Sequence, residues 1–477
     1  MTLLTCARKH HTLLWRRYNR ALVRRHARMK AVTSAAVALA ASGSTRGMTN
    51  ASSSTHAAIK KGILYSTSAS IPINSPLVDH AADSEFVTTG AESSSPWRAL
   101  FLAFFAMIQP EKLAEPLDVE NDFMDDLRVN PVPSHVSDSV ACGELIWRYD
   151  MDSYAANNHN EDRSQYILDT IKAPTPEAED CSLFFCGCYD GHGGEEAVEY
   201  VQRHLYRNIK QHVVNGDAVA DAIVQGFQET DQAFHRRSVR KFEQGAWSAC
   251  SVGACAVIAL VVGKKLYIAS CGDCRAIMAF REPDGSLSVE QITWDHSAND
   301  EREQERLRIL YPDDYDIVRE IGADNFYVKG RLQPTRSLGD TYMKVQEVNR
   351  APMPRGLRIR GSFKRPYITA VPDVFEFDLD DRTPEFLVLG SDGLYGEMSN
   401  DEIAQAVDNL RQKGVENVSE SLRAEVLDRI AQYYGFSRDE LEQISPGERR
   451  NYHDDITIDV VHFTPPGAVR LSVYLSR

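Results

Sequence analysis

Residues 183–196, LFFCGCYDGHGGEE, leave the chain few local choices. Leu183, Phe184 and Phe185, with Cys186 and Cys188 behind them, form an apolar run typical of a short buried strand. The run ends at Asp190, and Gly191, Gly193 and Gly194 around His192 allow a sharp turn. Beyond the turn, Ala197, Val198, Val201 and Leu205 recur as one face of a helix. Strand, glycine turn and helix together hold a carboxylate and a histidine at the rim of a core. A hard cation is often placed this way, because glycine lets a main-chain carbonyl approach an ion. Taken alone, the stretch is equally a Gly-rich turn with a solvated Asp and His.

Other segments repeat the arrangement. Phe386–Ser391 leads as a strand-like run into Asp392-Gly393, and His453-Asp454-Asp455 opens the alternating run Ile456–Val461. Glu161 and Asp162 stand just before another possible strand. Acids at strand ends, far apart in sequence, can converge on one edge of a sheet core. The cysteines suggest a reducing compartment: there are nine, an odd number, and Cys186, Cys188, Cys255 and Cys271 lie on expected buried strands. Cys271 and Cys274 form a C-x-x-C, but no second pair or His cluster accompanies them, so zinc and redox chemistry are set aside.

Further motifs stand in a fixed order: NEDR at 160–163, YDGHGG at 189–194, SCGDCRA at 270–276 and GRLQPTRSLGD at 330–340. PYITAVPDV at 366–374, GSDGLYGEMS at 390–399 and HDDIT at 453–457 complete the series. The set resembles the metal-dependent PPM-type (protein phosphatase 2C) serine/threonine protein phosphatases over residues 136–465. The resemblance implies an α+β fold, a four-layer αββα sandwich of two mostly antiparallel β-sheets flanked by helices. It implies a phosphoprotein substrate and two Mg²⁺ or Mn²⁺ ions, with a weaker third. Asp190 would bridge the two ions, with the Gly191 carbonyl as a further ligand. Asp392 and Asp454 would complete one shell, Glu161 and Asp162 would serve the other, and Asp273 with Asp392 would hold the third. His192 would act as general acid.

The chemistry agrees with that ligand set. Uncatalysed phosphomonoester hydrolysis is so slow that enzymes accelerate it by up to ~10²¹-fold, and a general base supplies only about 10²–10⁴ of that. Divalent ions supply much more, and carboxylates without a convergent Cys/His set favour Mg²⁺ or Mn²⁺ over zinc.

Departures from the family pattern are informative. Asn157 stands where many members carry an Arg that clasps the substrate phosphate, which leaves Arg163 or Lys329 to supply that charge. Gly396 stands where Asp is common. The run Ala155–Arg163, with DHSANDEREQERL at 295–307 and SPGERRNYHDDIT at 445–457, is most similar to the mitochondrial pyruvate dehydrogenase phosphatases. That implies the pyruvate dehydrogenase E1α subunit as substrate.

Charge divides the chain. Twelve Lys and Arg lie up to Lys61 and no acid precedes Asp79, so the remainder carries −27 within a total of −15. An acidic body argues against nucleic acid as substrate. Residues 1–48, rich in Arg, read as a mitochondrial transit peptide, with a disordered basic arm and a cytoplasmic protein as the alternative. Residues 49–135 read as disordered linker. Within them, the apolar segment 97–108 is too short to span a bilayer and is expected to dock on the catalytic body. Residues 466–477 form a tail.

Within the body, the patterns predict helices from Gly194 and over 217–236, and a hairpin of 254–262 with 266–270. Residues 297–309 read as a solvated helix face, 310–365 as a loop-rich flap carrying Arg331, Arg336 and Arg355, and 401–448 as further helices. A pseudophosphatase that binds phosphoproteins without turnover is the reading from a different class.

Overall fold

The computed structural model describes residues 135–464, apart from 141–144, 172–179, 323, 362 and 364. The expected transit peptide, most of the linker with its apolar segment, and the tail lie outside the described residues.

The described chain begins with the antiparallel pair β1 (His135–Val140) and β2 (Ile146–Tyr154). β3 (Asp162–Ile171) and β4 (Cys181–His192) form a second pair, in register from Asp162 opposite Asp190. Helices α1 (Glu196–Val214) and α2 (Val219–Glu243) lead to β5 (Gly253–Val262), β6 (Lys265–Cys271), β7 (Arg275–Arg281) and β8 (Leu287–Gln291). Shorter elements follow: α3 (Glu301–Leu310), the hairpin β9 (Val318–Glu320) with β10 (Phe326–Val328), β11 (Leu338–Gly339) and α4 (Thr341–Lys344). Then come β12 (Asp373–Asp378), β13 (Phe386–Gly390), α5 (Asp392–Tyr395), α6 (Asn400–Gln412), α7 (Val418–Tyr434), α8 (Arg438–Gln443) and β14 (Ile456–Phe463).

Two antiparallel sheets result, one in the order β1-β2-β14-β13-β7-β8 and the other β12-β6-β5-β4-β3, with β11 on β5. Side-chain alternation along the central strands sets the layers. On β4, Phe184, Cys186 and Cys188 enter the core between the sheets, where Leu387 and Leu389 of β13 meet them. Phe185 faces the other way, onto Val198, Val201 and Leu205 of α1 and Phe227 of α2. Val388 likewise turns outward onto Ile403 and Val407 of α6 and Val426 and Ile430 of α7. Helices, sheet, sheet and helices therefore stack as the αββα sandwich expected from the sequence. The outer helices are well started: Ser399 caps α6 in a reciprocal capping box with Glu402.

Three local expectations change. β4 does not stop at Asp190 but runs to His192, because Gly191 and His192 still pair with Ala254 and Gly253. α2 continues past Arg236 to Glu243, since Phe242 is buried beneath the flap. The charged run 297–309 is solvated on one side only: Glu301, Arg302, Glu305 and Arg308 of α3 are exposed, but Glu303, Gln304 and Leu307 are buried. Glu303 there accepts the Thr335 hydroxyl and pairs with Arg306 and Arg336. The 310–365 flap is also more than loop, because Ile317, Val328, Tyr342, Met343 and Ile359 share a small core with Phe242.

Candidate metal and catalytic centre

Sheet geometry gathers the acids. Asp162, first residue of β3, lies opposite Asp190 near the end of β4, and Asp190 lies opposite Cys255 on β5. Asp392 follows β13, and Asp454 precedes β14, the strand paired with β13 in the other sheet. Glycine makes the close approaches possible. A Cβ on Gly191 would sit 2.4 Å from the Glu161 carbonyl oxygen, and one on Gly393 would sit 2.0 Å from that of Asp455. Backbone from β4 thus touches the Glu161 loop, where Gly191 N donates to Glu161 O at 3.0 Å. Backbone after Asp392 touches the Asp454–Asp455 turn.

The electrostatics follow from that crowding. Burial, then the Asp162 and Asp392 charges, holds the Asp190 carboxyl well above the usual carboxylate range. Burial and Asp455 do the same to Asp162, against the Ser391 and Thr457 hydroxyls, which pull it down. Burial, with Asp273 next, pushes Asp392 up to about 6, and burial with Asp392 pushes Asp454 up to about 6. Asp273 and Glu161 are raised as well, chiefly by burial. Among the described residues no three of these side chains close up into a coordination shell. They nevertheless lie within one another's fields: Asp162 is buried, Glu161, Asp190, Asp273 and Asp454 are half-buried and Asp392 is exposed, and such crowded like charges favour a cation among them. The donors are all oxygen, so the residues fit hard divalent cations.

His192 stands at the rim. Its Nε2 is 2.8 Å from Asp340 Oδ2, with 28% of the His192 side chain exposed and Asp340 at 0%. Burial lowers the imidazole pKa, but the charge and hydrogen bond of Asp340 outweigh it and raise the value above that of free histidine. Asp340 is held in the left-handed region at φ 50°, takes the Ser337 hydroxyl at 2.6 Å and leaves Oδ1 buried without a partner. Gly253 sits beneath the pair, where a Cβ would come within 2.1 Å of Asp340 Oδ2 and 2.4 Å of His192 Nε2.

A second layer fixes this turn. Asp231 of α2 accepts the Gly339 amide at 2.8 Å and the Lys344 ammonium at 2.8 and 2.9 Å, and Lys344 also donates to Ser337 O at 2.7 Å. Burial raises the Asp231 pKa, but His235 and Lys344 overcome it and hold the group at about 2. Its stabilising effect is therefore present above the unfolded value of about 3.9 and is lost as pH falls toward about 2. Lys344→Met leaves this buried carboxylate to His235 and the Gly339 amide and is expected to cost about 3 kcal/mol of stability at pH 7. Denaturant melts check it, and the gap from the parent protein should narrow below about pH 4.

Residues with other engagements are equally clear. Arg163, expected to reach substrate phosphate, instead donates to the Asn160 and Asp162 carbonyls and faces Glu195 and Glu199. Lys329 is held by Asp314 and Asp316 within the flap. The Asn157 amide donates to Asp455 at 3.1 Å. Cys271 joins the core under α1 and Cys274 the core between the sheets, so the C-x-x-C thiols face opposite ways and both are free. Gly396 donates its amide to Asp392 O at 2.7 Å.

Sequence reasoning gave no role to Asp340 or Asp455. Asp455 accepts the backbone amides of Ala156, Asn157 and Glu161 and so shapes the Glu161 loop. The signal for Asp340 was its place at the end of GRLQPTRSLGD; Asp455 had none beyond adjacency to Asp454.

The profile described as protein phosphatase 2C matches residues 154–433, more than half of the chain. The chain is 34% identical over 321 residues to probable protein phosphatase 2C 48 of Arabidopsis thaliana, covering 66% of this chain and 81% of that protein. It is 31% identical over 312 residues to probable protein phosphatase 2C 64 of the same plant, covering 65% and 75% respectively. A crystal structure of serine-threonine phosphatase 2C from Toxoplasma gondii superposes with a TM-score of 0.49 at 18% identity, covering 70% of this chain and all of that one. The carboxylate cluster at the meeting of two sheets thus sits in a chain that belongs to the protein phosphatase 2C family, the protein serine/threonine phosphatases.

Proposed function

We propose that this phosphatase removes phosphate from phosphoserine and phosphothreonine at a binuclear Mg²⁺ or Mn²⁺ centre. Asp190, the Gly191 carbonyl, Asp392, Asp454, Glu161 and Asp162 would hold two ions, and Asp273 with Asp392 a weaker third. One observation carries the reading: acids from both sheets, from the buried Asp162 to the exposed Asp392, crowd closely enough to raise one another's pKa values. Bound there, such ions neutralise phosphoryl oxygens and make a water acidic enough to serve as nucleophile. His192 delivers a proton to the departing Ser or Thr oxygen, and Asp340 keeps the imidazole protonated and aimed.

The test is phosphate release from a phosphoserine peptide. It should require Mg²⁺ or Mn²⁺, disappear with a chelator and return on adding either ion. Tight peptide binding with no turnover under any metal would favour the pseudophosphatase reading.

For substrate and compartment, the proposal is E1α of pyruvate dehydrogenase in mitochondria. Its support is the run Ala155–Arg163, residues 295–307 and 445–457, and the Arg-rich residues 1–48. Imaging a tagged full chain beside one lacking residues 1–48 tests the compartment, and E1α phosphorylation in organelles with and without the protein tests the substrate. A cytosolic full-length chain would turn the reading to signalling phosphoproteins. Among the described residues no helix is long and apolar enough to cross a membrane.

A further inference from the structure

The proposed ions would answer the carboxylates, and a guanidinium of the chain's own would add a directional grip on the phosphate dianion. The expected candidates are engaged: Arg163 under its own loop, Lys329 in the flap. Arg275 is also occupied, by Asp295 at 3.0 Å and Asn400 at 2.9 Å. Asn157 spends its amide on Asp455.

Arg450 is placed differently. Its Nη2 lies 2.7 Å from Asp454 Oδ2, with 49% of the Arg450 side chain and 30% of that of Asp454 exposed. The positive charge also reaches Asp392, where it opposes the upward push of burial on the carboxyl.

The base of this side chain is rigid even though its tip is exposed. Neighbouring Arg449 is buried, donating to Ala155 O at 2.7 Å, Glu442 O at 2.9 Å and Ile444 O at 2.8 Å, with its guanidinium 4.6 Å from the Tyr154 ring centroid. Gly447 N donates to Ala156 O at 2.7 Å. The loop that carries Arg450 is therefore fastened to the loop that carries Asn157.

We propose that Arg450 grips the substrate phosphate, supplying from the Asp454 loop the guanidinium that position 157 lacks. Half-exposed ion pairs are worth little, so Asp454 does not trap it. Asp454 in its proposed role as a ligand has no charge to spare, and a planar guanidinium matches two phosphate oxygens at once. This rests on the phosphatase reading above.

The test compares the full chain with Arg450→Ala and Arg450→Lys in Mn²⁺. It measures kcat and KM on a phosphoserine peptide, and binding of inorganic phosphate and of Mn²⁺ by calorimetry. Arg450→Ala should raise KM and weaken phosphate binding by about 10- to 100-fold, the range of a lost charged hydrogen bond. Mn²⁺ affinity should be equal or higher, and Arg450→Lys should recover part of the loss. Unchanged KM and phosphate binding with tighter Mn²⁺ would mean that Arg450 only neutralises Asp454, and the proposal fails. Weaker Mn²⁺ binding would make it a support for Asp454, and it fails again. A parent protein without metal-dependent turnover would sink the phosphatase reading, while phosphate calorimetry would still judge Arg450.

Discussion

Asp190→Asn should cut metal-stimulated turnover of a phosphoserine peptide by about 10³-fold or more, while the metal-free protein melts no lower than the parent. Both halves follow from the same geometry. Asp190 is proposed to serve both ions, so its loss removes more charge stabilisation than deletion of a single hydrogen-bond donor, which already costs about 10²–10³-fold. In the metal-free chain, however, its carboxylate is a half-buried like charge pressed by Asp162 and Asp392. Asparagine keeps the shape and removes that repulsion, so the metal-free variant is expected to melt at or above the parent. Turnover and a chelated thermal melt, measured on one preparation, decide it. Loss of activity with a lower melting temperature would point to a structural role, and retained turnover would remove Asp190 from the centre.

What the sequence made legible follows from how local each signal was. Strands β4, β5 and β13 were readable because both faces are buried, so unbroken apolar runs such as Phe184–Cys188 mark them directly. The acids were readable because each sits where such a run meets glycine. The end of β4 was not, since Gly191 and His192 remain paired only because Gly253 and Ala254 lie alongside, a fact of register rather than composition. The solvated face of α3 was readable in Glu301, Arg302, Glu305 and Arg308, but Glu303 was not: it sits in the interior beside Arg306, Thr335 and Arg336, two of which are about 30 residues away. Arg163 matched a motif yet turns under its own loop, a choice set by Asn160, Glu195 and Glu199. Asp340 lies 148 positions from the histidine that it meets, too far for any local pattern to pair them.

That distant pair supports the second large effect. His192→Ala should lower kcat on a phosphoserine peptide by about 10²–10⁴-fold, the usual contribution of a general acid. On p-nitrophenyl phosphate the loss should be under about tenfold, because nitrophenolate departs without a proton and a serine alkoxide does not. A uniform loss on both substrates would mean that the imidazole acts on binding or on the metal ligands instead. Asp340→Asn refines the argument. The amide keeps a polar group near Nε2 but removes the charge that, against burial, raises the His192 pKa. The imidazole should then be less often protonated at neutral pH, so the variant should share the selective loss on phosphoserine at smaller magnitude. Both contacts fall on Oδ2, so an amide oxygen there can still accept the Ser337 hydroxyl, but the new NH2 replaces the buried Oδ1, so a thermal melt accompanies the kinetics. If the Asp340→Asn loss is equal on the two substrates, Asp340 holds the turn rather than the proton. The leaving-group dependence separates these roles because only proton delivery senses how badly the departing oxygen needs one.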